Sequence, residues 1–198
     1  MTEDRSNAAL LGAPGILSGT VSWALSEYAR GFNDIEWDGL LLSPLGVYPG
    51  LVFGLIIGFV FRRRGKIDGR RQVGYVLAAA LAYFCAFHVA LHVADHVEIN
   101  LPGYGDDPTK SIVAIAISGI PTGIVGSVLL GCMTTFLLRV SGRSVLRLPV
   151  LVGGAAGVLL GITAIKPSSD YGVGFFFAIW QGVYAASLAP LLRGTPRK

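Results

Sequence analysis

Three histidines, all that the chain contains, lie within nine residues. His88, His92 and His96 are spaced by four, so a helix would place them along one face. Neutral imidazole is a common metal ligand, and two imidazoles at positions i and i+4 can chelate one ion. His88 and His96 would lie about 12 Å apart along the helix axis, too far to share one ion. The spacing therefore predicts a site of two neighbouring histidines, completed by a carboxylate from elsewhere.

Acidic residues that could complete such a site lie on the same segment, in the loop after it and near the N-terminus. They are Asp95, Glu98, Asp106, Asp107 and Glu27. Three interpretations of the histidine face stay open: ligation of a metal ion or haem, a proton relay or pH sensor, and polar packing at a membrane interface. The cofactor is accordingly unknown, with a metal ion or haem as the candidates.

Two other polar residues interrupt apolar segments. Gln181 lies about ten residues into the last apolar segment, where its amide needs a hydrogen-bond partner inside the protein. Glu27 lies near the end of the first, whose Ser18, Ser22 and Ser26 recur every four residues and share one helix face. We expect either a polar cavity that holds a small substrate or hydrogen bonds between helices.

The composition indicates that membrane helices position these residues. Of the 198 residues, 53% are hydrophobic and only 14% are charged, and the mean hydropathy is +0.62. Soluble domains carry about 25% charged residues, so this chain has too few to cover a soluble domain of its size. The net charge of +4 does not indicate nucleic-acid binding, because the bases lie in short clusters at the ends of apolar runs.

Six apolar segments approach the length of about 20 residues that crosses a bilayer. They are residues 9–29, 39–61, 73–94, 111–138, 148–165 and 172–192. The first is the weakest because it contains Pro14 and several glycines and serines, and it would lie in the interface if it does not cross. We predict an all-α fold: a polytopic integral membrane bundle of six transmembrane helices, or five, forming a single domain over residues 1–198.

Basic residues orient this bundle. With six spans and the N-terminus inside, 13 of the 16 bases face the cytoplasm, in agreement with the positive-inside rule. The outer segments carry 9 acids against 3 bases, which makes a surface that attracts cations. We expect a multi-pass protein of the cell membrane with both termini cytoplasmic.

Glycines spaced by four form stripes that let helix backbones approach each other in lipid. The second segment contains one such stripe and the fifth contains another. They are Gly50, Gly54 and Gly58, and Gly153, Gly157 and Gly161. These stripes predict close helix packing, either within the chain or with helices of a partner.

No enzymatic signature accompanies this architecture, since the motifs of intramembrane proteases, lipid hydroxylases and membrane hydrolases are missing, and we expect no catalysis. In size and helix layout the chain resembles the substrate-binding components of energy-coupling-factor vitamin importers, which are small six-helix membrane proteins. This resemblance is one of architecture and implies no site residue. It favours transport or binding of a small solute or ion as the first hypothesis.

Two other functions stay open. The alternative is a structural or accessory subunit of a larger membrane complex, whose glycine stripes contact partner membrane subunits or further copies of the chain. The third is a metal- or haem-binding membrane protein that uses the histidine face. In every case the lipid bilayer is the expected partner, and nucleic acid is not.

Overall fold

The protein is helical throughout the part that the structure describes. In this computed structural model that part comprises residues 2–30, 44–100, 108–140, 144–164 and 170–192, with side chains described over shorter stretches. These ranges contain six α-helices, one short 3₁₀ turn and no strand, which confirms the all-α prediction. The helices are α1 (Thr2–Arg30), α2 (Pro44–Arg63), α3 (Gly69–Asn100), α4 (Pro108–Leu138), α5 (Ser144–Ala164) and α6 (Asp170–Ser187), and the 3₁₀ turn is Ala189–Leu192.

Each predicted apolar segment overlaps one of these helices. Within the described residues, three stretches are long and apolar enough to cross a membrane: Ser6–Leu25 of α1, Gly69–Val89 of α3 and Gly119–Leu138 of α4. The stretch in α1 belongs to the segment that looked weakest in the sequence, and its Pro14 lies inside the helix. The helices are thus compatible with insertion into a membrane by length and composition.

The connection between α2 and α3 has a defined geometry at both helix ends. Gly65 has a φ of +67°, and the Lys66 N–H donates to the Phe61 carbonyl oxygen at 2.9 Å, as in a Schellman motif. Asp68 caps α3, since its Oδ1 accepts a hydrogen bond from the Arg71 backbone N–H at 2.8 Å. This hydrogen bond, together with the positive charge of Arg71, holds the pKa of Asp68 below its ordinary value.

Helix α4 ends with the same hydrogen-bond pattern but without a glycine. The Val140 N–H donates to the Thr135 carbonyl oxygen at 2.9 Å, and the Arg139 N–H donates to the Phe136 carbonyl oxygen at 3.1 Å. Arg139 has a φ of +54°. A left-handed backbone costs about 1–2 kcal/mol in a residue with a Cβ atom. Arg139 therefore holds a strained position that glycine occupies after α2.

The six helices form a closed ring in chain order. Each packs against the helix before it and the helix after it, and α1 packs against α6. Large apolar side chains such as Leu77, Phe136 and Leu151 are mostly exposed on the outside of this ring, as expected of helices that face lipid. The described core includes Leu11, Phe53, Ile57, Phe61, Tyr75 and Leu188.

Glycines bring the backbones of α4 and α5 into direct contact. Gly119 lies opposite Gly157, and a Cβ atom added to either would overlap the carbonyl oxygen of the other. A Cβ atom added to Gly123 would overlap the carbonyl oxygen of Gly153. One added to Gly153 would overlap the side chain of Ser127. Neither helix therefore has room for a methyl group at this contact.

The glycine stripe of α2 faces α3, where it meets residues that carry side chains. A Cβ atom at Gly50 would lie 2.5 Å from the carbonyl oxygen of Ala79, and one at Gly54 would lie 2.6 Å from the Cα atom of Val76. At Gly58 the nearest atoms belong to side chains of α3, the closest at 3.3 Å. The contact is thus close at two glycines and looser at the third.

Candidate functional site

Gln181 of α6 is buried inside the ring, with 1% of its surface exposed. Its Nε2 donates a long hydrogen bond, 3.4 Å, to the Ser22 Oγ of α1. Its Oε1 has no partner of hydrogen-bond geometry among the described residues. A buried acceptor without a partner costs about 1–3 kcal/mol. Such a group is therefore costly if its only role is packing.

The crossing of α1 and α6 places Gln181 beside Ser22. Gly15 of α1 lies against the backbone of α6, where a Cβ atom would come within 2.5 Å of the Gln181 carbonyl oxygen. Gly182 permits the same approach from α6. The Ser22 hydroxyl donates to the Ser18 carbonyl oxygen at 2.7 Å, so its oxygen can accept from the Gln181 amide. The serine face predicted on the first segment thus meets Gln181 at its second serine.

A small cavity lies beside Gln181 in the interior of the ring. The volume that the centre of a water molecule can occupy is about 10 Å³, so there is room for about one water. Residues of α2, α3, α4 and α6 line it. They are Phe53, Tyr83, Ala86, Gly126, Ser127, Leu130, Trp180, Gln181 and Tyr184.

Aromatic rings and hydroxyl groups form the walls of this central cavity. The rings of Tyr83 and Trp180 are 5.0 Å apart and tilted by 59°, and the hydroxyl of Tyr83 interacts with the side chain of Gln181. The Tyr184 hydroxyl donates to the Ser127 carbonyl oxygen at 3.4 Å. The Ser127 Oγ is buried without a hydrogen-bond partner in the described part of the chain. Two uncommitted polar atoms, on Gln181 and Ser127, therefore belong to residues that line one cavity.

The histidine face lies apart from this cavity. The ring of His88 is half-buried against two aromatic rings of its own helix, with centroids 4.3 Å from Phe84 and 6.2 Å from Phe87, and its Nε2 is buried without a hydrogen-bond partner. His92 and His96 are exposed. Among the described side chains, no group of three or more His, Cys, Asp or Glu residues comes together. Metal ligation, proton relay and polar packing all stay predictions for these histidines.

Several predicted residues lie where the surroundings are not described. Asp95 is in α3 and Glu27 is in α1, but their side chains fall outside the described residues, and so do the contacts of Gly161 in α5. The carboxylates proposed to join the histidines are therefore not placed, and neither is the Glu27 side of a substrate cavity.

Sequence reasoning identified Gln181 and the serine face but missed most of the cavity. Tyr83, Ser127 and Tyr184 each carry a hydroxyl group inside a long apolar segment, where it needs a partner. That signal was present in the sequence. It does not say which hydroxyls point inward, because this depends on how each helix is rotated in the ring.

No protein family matches the chain, and comparisons with characterised proteins and with solved structures find no match either. The chemistry of the central cavity is therefore the basis for a functional conclusion. Its polar groups are one amide, three hydroxyls and one indole, and none of its described lining residues is charged. Such a set suits a small uncharged molecule that can form hydrogen bonds.

Proposed function

We propose that the chain is an integral membrane protein that binds a small uncharged solute between its helices and carries it across the bilayer, without catalysis. The observation that carries this proposal is the buried Gln181, whose Oε1 lacks a partner beside a cavity. Ser127 of α4, which also lines the cavity, has a second buried polar atom without a hydrogen-bond partner among the described residues. If the cavity served packing alone, apolar residues of similar size would be more stable at both positions.

The size and polarity of the cavity narrow the class of solute. Its volume admits about one water, so a larger solute binds only when helices around the cavity move apart. Hydroxyl and amide groups can both donate and accept hydrogen bonds. Small polyols and amides, which do the same, are the solutes that fit this lining.

We further propose that the ring crosses the membrane six times with both termini in the cytoplasm. Eight described bases gather at one end of the ring, where α2 and α4 end and α3 and α5 begin. We name this the basic end; its bases are Arg62, Arg63, Arg64, Lys66, Arg70, Arg71, Arg139 and Arg147. Seven of them are arginines. In membrane proteins, clusters of basic residues next to transmembrane helices lie on the cytoplasmic side.

Solute flux through the purified protein tests the proposal. Proteoliposomes are mixed rapidly with urea or glycerol, and their volume change is followed by light scattering against vesicles without protein. We expect faster entry of at least one of the two solutes into the protein-containing vesicles. In the Gln181→Leu variant, the part of the entry rate that is due to the protein should be about tenfold lower. This is the effect of removing one hydrogen bond of about 1.4 kcal/mol.

The matched control is Gln72→Leu, because Gln72 is the other glutamine of the chain and lies outside the cavity. Its Oε1 accepts a hydrogen bond from Arg62 at 3.1 Å near the basic end. This variant should keep the wild-type rate. Equal rates with and without protein, or an unchanged rate in a folded Gln181→Leu variant, would contradict the proposal.

The two other functions have less support from the geometry. The accessory-subunit hypothesis required glycine stripes that contact helices of a partner protein, but the described stripes contact α3 and α4 of the same chain. The metal- or haem-binding hypothesis depends on carboxylates whose side chains are not described. Co-purifying chains and a metal or haem absorption spectrum of the purified protein test these two alternatives.

A further inference from the structure

A groove of about 730 Å³ opens on the surface between the start of α3 and the end of α4. Among the described residues it is lined by Arg71, Thr135, Phe136, Leu137, Arg139 and Val140. One arginine comes from each helix end, and the surface between them is mainly apolar. The groove is thus amphiphilic.

Apolar surface continues from the groove towards the middle of the helices. Phe136 precedes Arg139 by about one helical turn, and its side chain is 77% exposed. On α3, Val73 and Leu77 follow Arg71 at positions further from the basic end and are 59% and 62% exposed. Of these side chains Phe136 lines the groove, so a molecule with a charged head at the level of the arginines would have its apolar part beside Phe136.

The positive charge around the groove favours an anionic ligand. The basic end carries eight described bases, and Asp68 is the one acid in the described α2–α3 connection. Asp68 Oδ2 lies 3.9 Å from Arg71 Nε, which leaves the other guanidinium nitrogens of Arg71 to bind a second anion. Guanidinium groups suit phosphate because they can donate two parallel hydrogen bonds to it.

We propose that the groove binds an anionic phospholipid, with its phosphate between Arg71 and Arg139 and its acyl chains along Phe136. The proposal rests on the membrane location proposed above but not on solute binding. Basic pockets on the cytoplasmic side of membrane helices attract anionic headgroups by about 1 kcal/mol for each base near the surface. Free phosphate lacks the acyl chains, and a zwitterionic lipid carries its own cation that offsets the attraction.

Lipid-dependent stability of the full chain in neutral detergent tests the proposal. Thermal unfolding is followed by tryptophan fluorescence while dioleoylphosphatidylglycerol, dioleoylphosphatidylcholine or inorganic phosphate is added. We expect the phosphatidylglycerol to raise the unfolding temperature with saturation, and the other two to have little effect. In the double variant Arg71→Gln/Arg139→Gln the half-saturating lipid concentration should rise about 25-fold, or about fivefold per arginine.

The control is the double variant Arg63→Gln/Arg64→Gln, which removes the same charge from the same end but outside the groove. Its half-saturating lipid concentration should stay within about threefold of wild type, since salt screens the attraction between a headgroup in the groove and arginines outside it. If both double variants respond equally, the lipid senses net charge and the groove is not a site. If inorganic phosphate alone raised the unfolding temperature, the ligand of the groove would be a free anion and not a lipid. Neither result bears on solute flux, so this proposal and the proposed function can fail separately.

Discussion

Two helix pairs of the ring use glycine in different ways. In the α4–α5 pair both helices contribute glycines, so carbonyl oxygens of one backbone lie directly against the other. In the α2–α3 pair only α2 contributes glycines: Gly50 and Gly54 lie against backbone atoms of α3, whereas Gly58 lies against side chains of α3. The same four-residue spacing in the sequence therefore produces glycine-to-glycine backbone contacts in one pair, and in the other a one-sided contact that loosens to side chains at Gly58.

This difference shows which positions tolerate a methyl group. A side chain that meets an added Cβ atom can rotate, whereas a carbonyl group of a facing helix moves only with its helix. Because the two backbones approach more closely in the α4–α5 pair, that pair should be more sensitive to substitution than the α2–α3 pair.

The largest effect is expected for Gly153→Ala. Its methyl group would overlap Ser127 and lie 2.7 Å from the carbonyl oxygen of Gly123, so α4 and α5 must separate. We expect a loss of about 3 kcal/mol in the free energy of unfolding, measured by denaturant titration in detergent micelles. The control is Gly154→Ala, whose methyl group meets only the Ile124 side chain, at 3.3 Å. An equal loss in both variants would mean that helix flexibility, and not the contact, sets the stability.

A smaller graded effect is expected along the α2 stripe. Gly54→Ala places a methyl group 2.6 Å from the Val76 Cα atom and should cost about 2 kcal/mol. Gly58→Ala meets Tyr75 Cδ1 at 3.3 Å and Gln72 Cγ at 3.4 Å, and these side chains can adjust. Because alanine also favours the helix by about 1 kcal/mol, this second variant should be neutral within that amount. The same denaturant titration measures both variants. A larger loss for Gly58→Ala than for Gly54→Ala would show that the backbone of α3 moves more readily than its side chains rotate.

Much of the fold follows from the sequence, because a long apolar segment with polar ends favours a helix, which pairs its backbone groups within the segment itself. The order of packing does not. The contact of α1 with α6 joins residues 159 positions apart, such as Ser22 and Gln181, and no local pattern specifies it. Gly12 and Gly15 counted against the first segment as a span, yet both lie against α6 and help to close the ring. A glycine weakens a helix by itself and strengthens its contact with another, and only the structure shows which effect applies.

The candidate site was predictable to the extent that a residue type alone implies burial. Gln181 in an apolar segment must find a partner, and it lies next to Ser22 of the predicted serine face. His88 contacts Phe84 and is not among the described residues that line the cavity beside Gln181. Four residues of separation fix a helix face, but the rotation of that face depends on all neighbouring helices.

The ends of α2 and α4 extend the comparison, since Gly65 and Arg139 occupy the same position of the same motif. Arg139→Gly should relieve about 1–2 kcal/mol of backbone strain. It also makes the unfolded chain more flexible, at a cost of about 0.5–1 kcal/mol. The net gain in unfolding free energy, measured in detergent without anionic lipid, should be about 0.5–1 kcal/mol. Arg139→Ala removes the same charge but keeps a Cβ atom, so it should show no gain; an equal gain would assign the effect to charge.

The smallest effect is a dependence on pH at the start of α3. The pKa of Asp68 is lowered from 3.8, chiefly by the hydrogen bond from the Arg71 backbone N–H, so folding favours its carboxylate. The resulting stability is fully present above the unfolded pKa of 3.8 and is lost as the pH falls through the lower folded value. Asp68→Asn keeps a capping side chain that does not titrate. Between pH 6 and about pH 3 the unfolding temperature of the wild type should therefore fall slightly more than that of the variant. Parallel curves would show that the Asp68 charge, unlike its capping geometry, does not contribute to the α2–α3 connection.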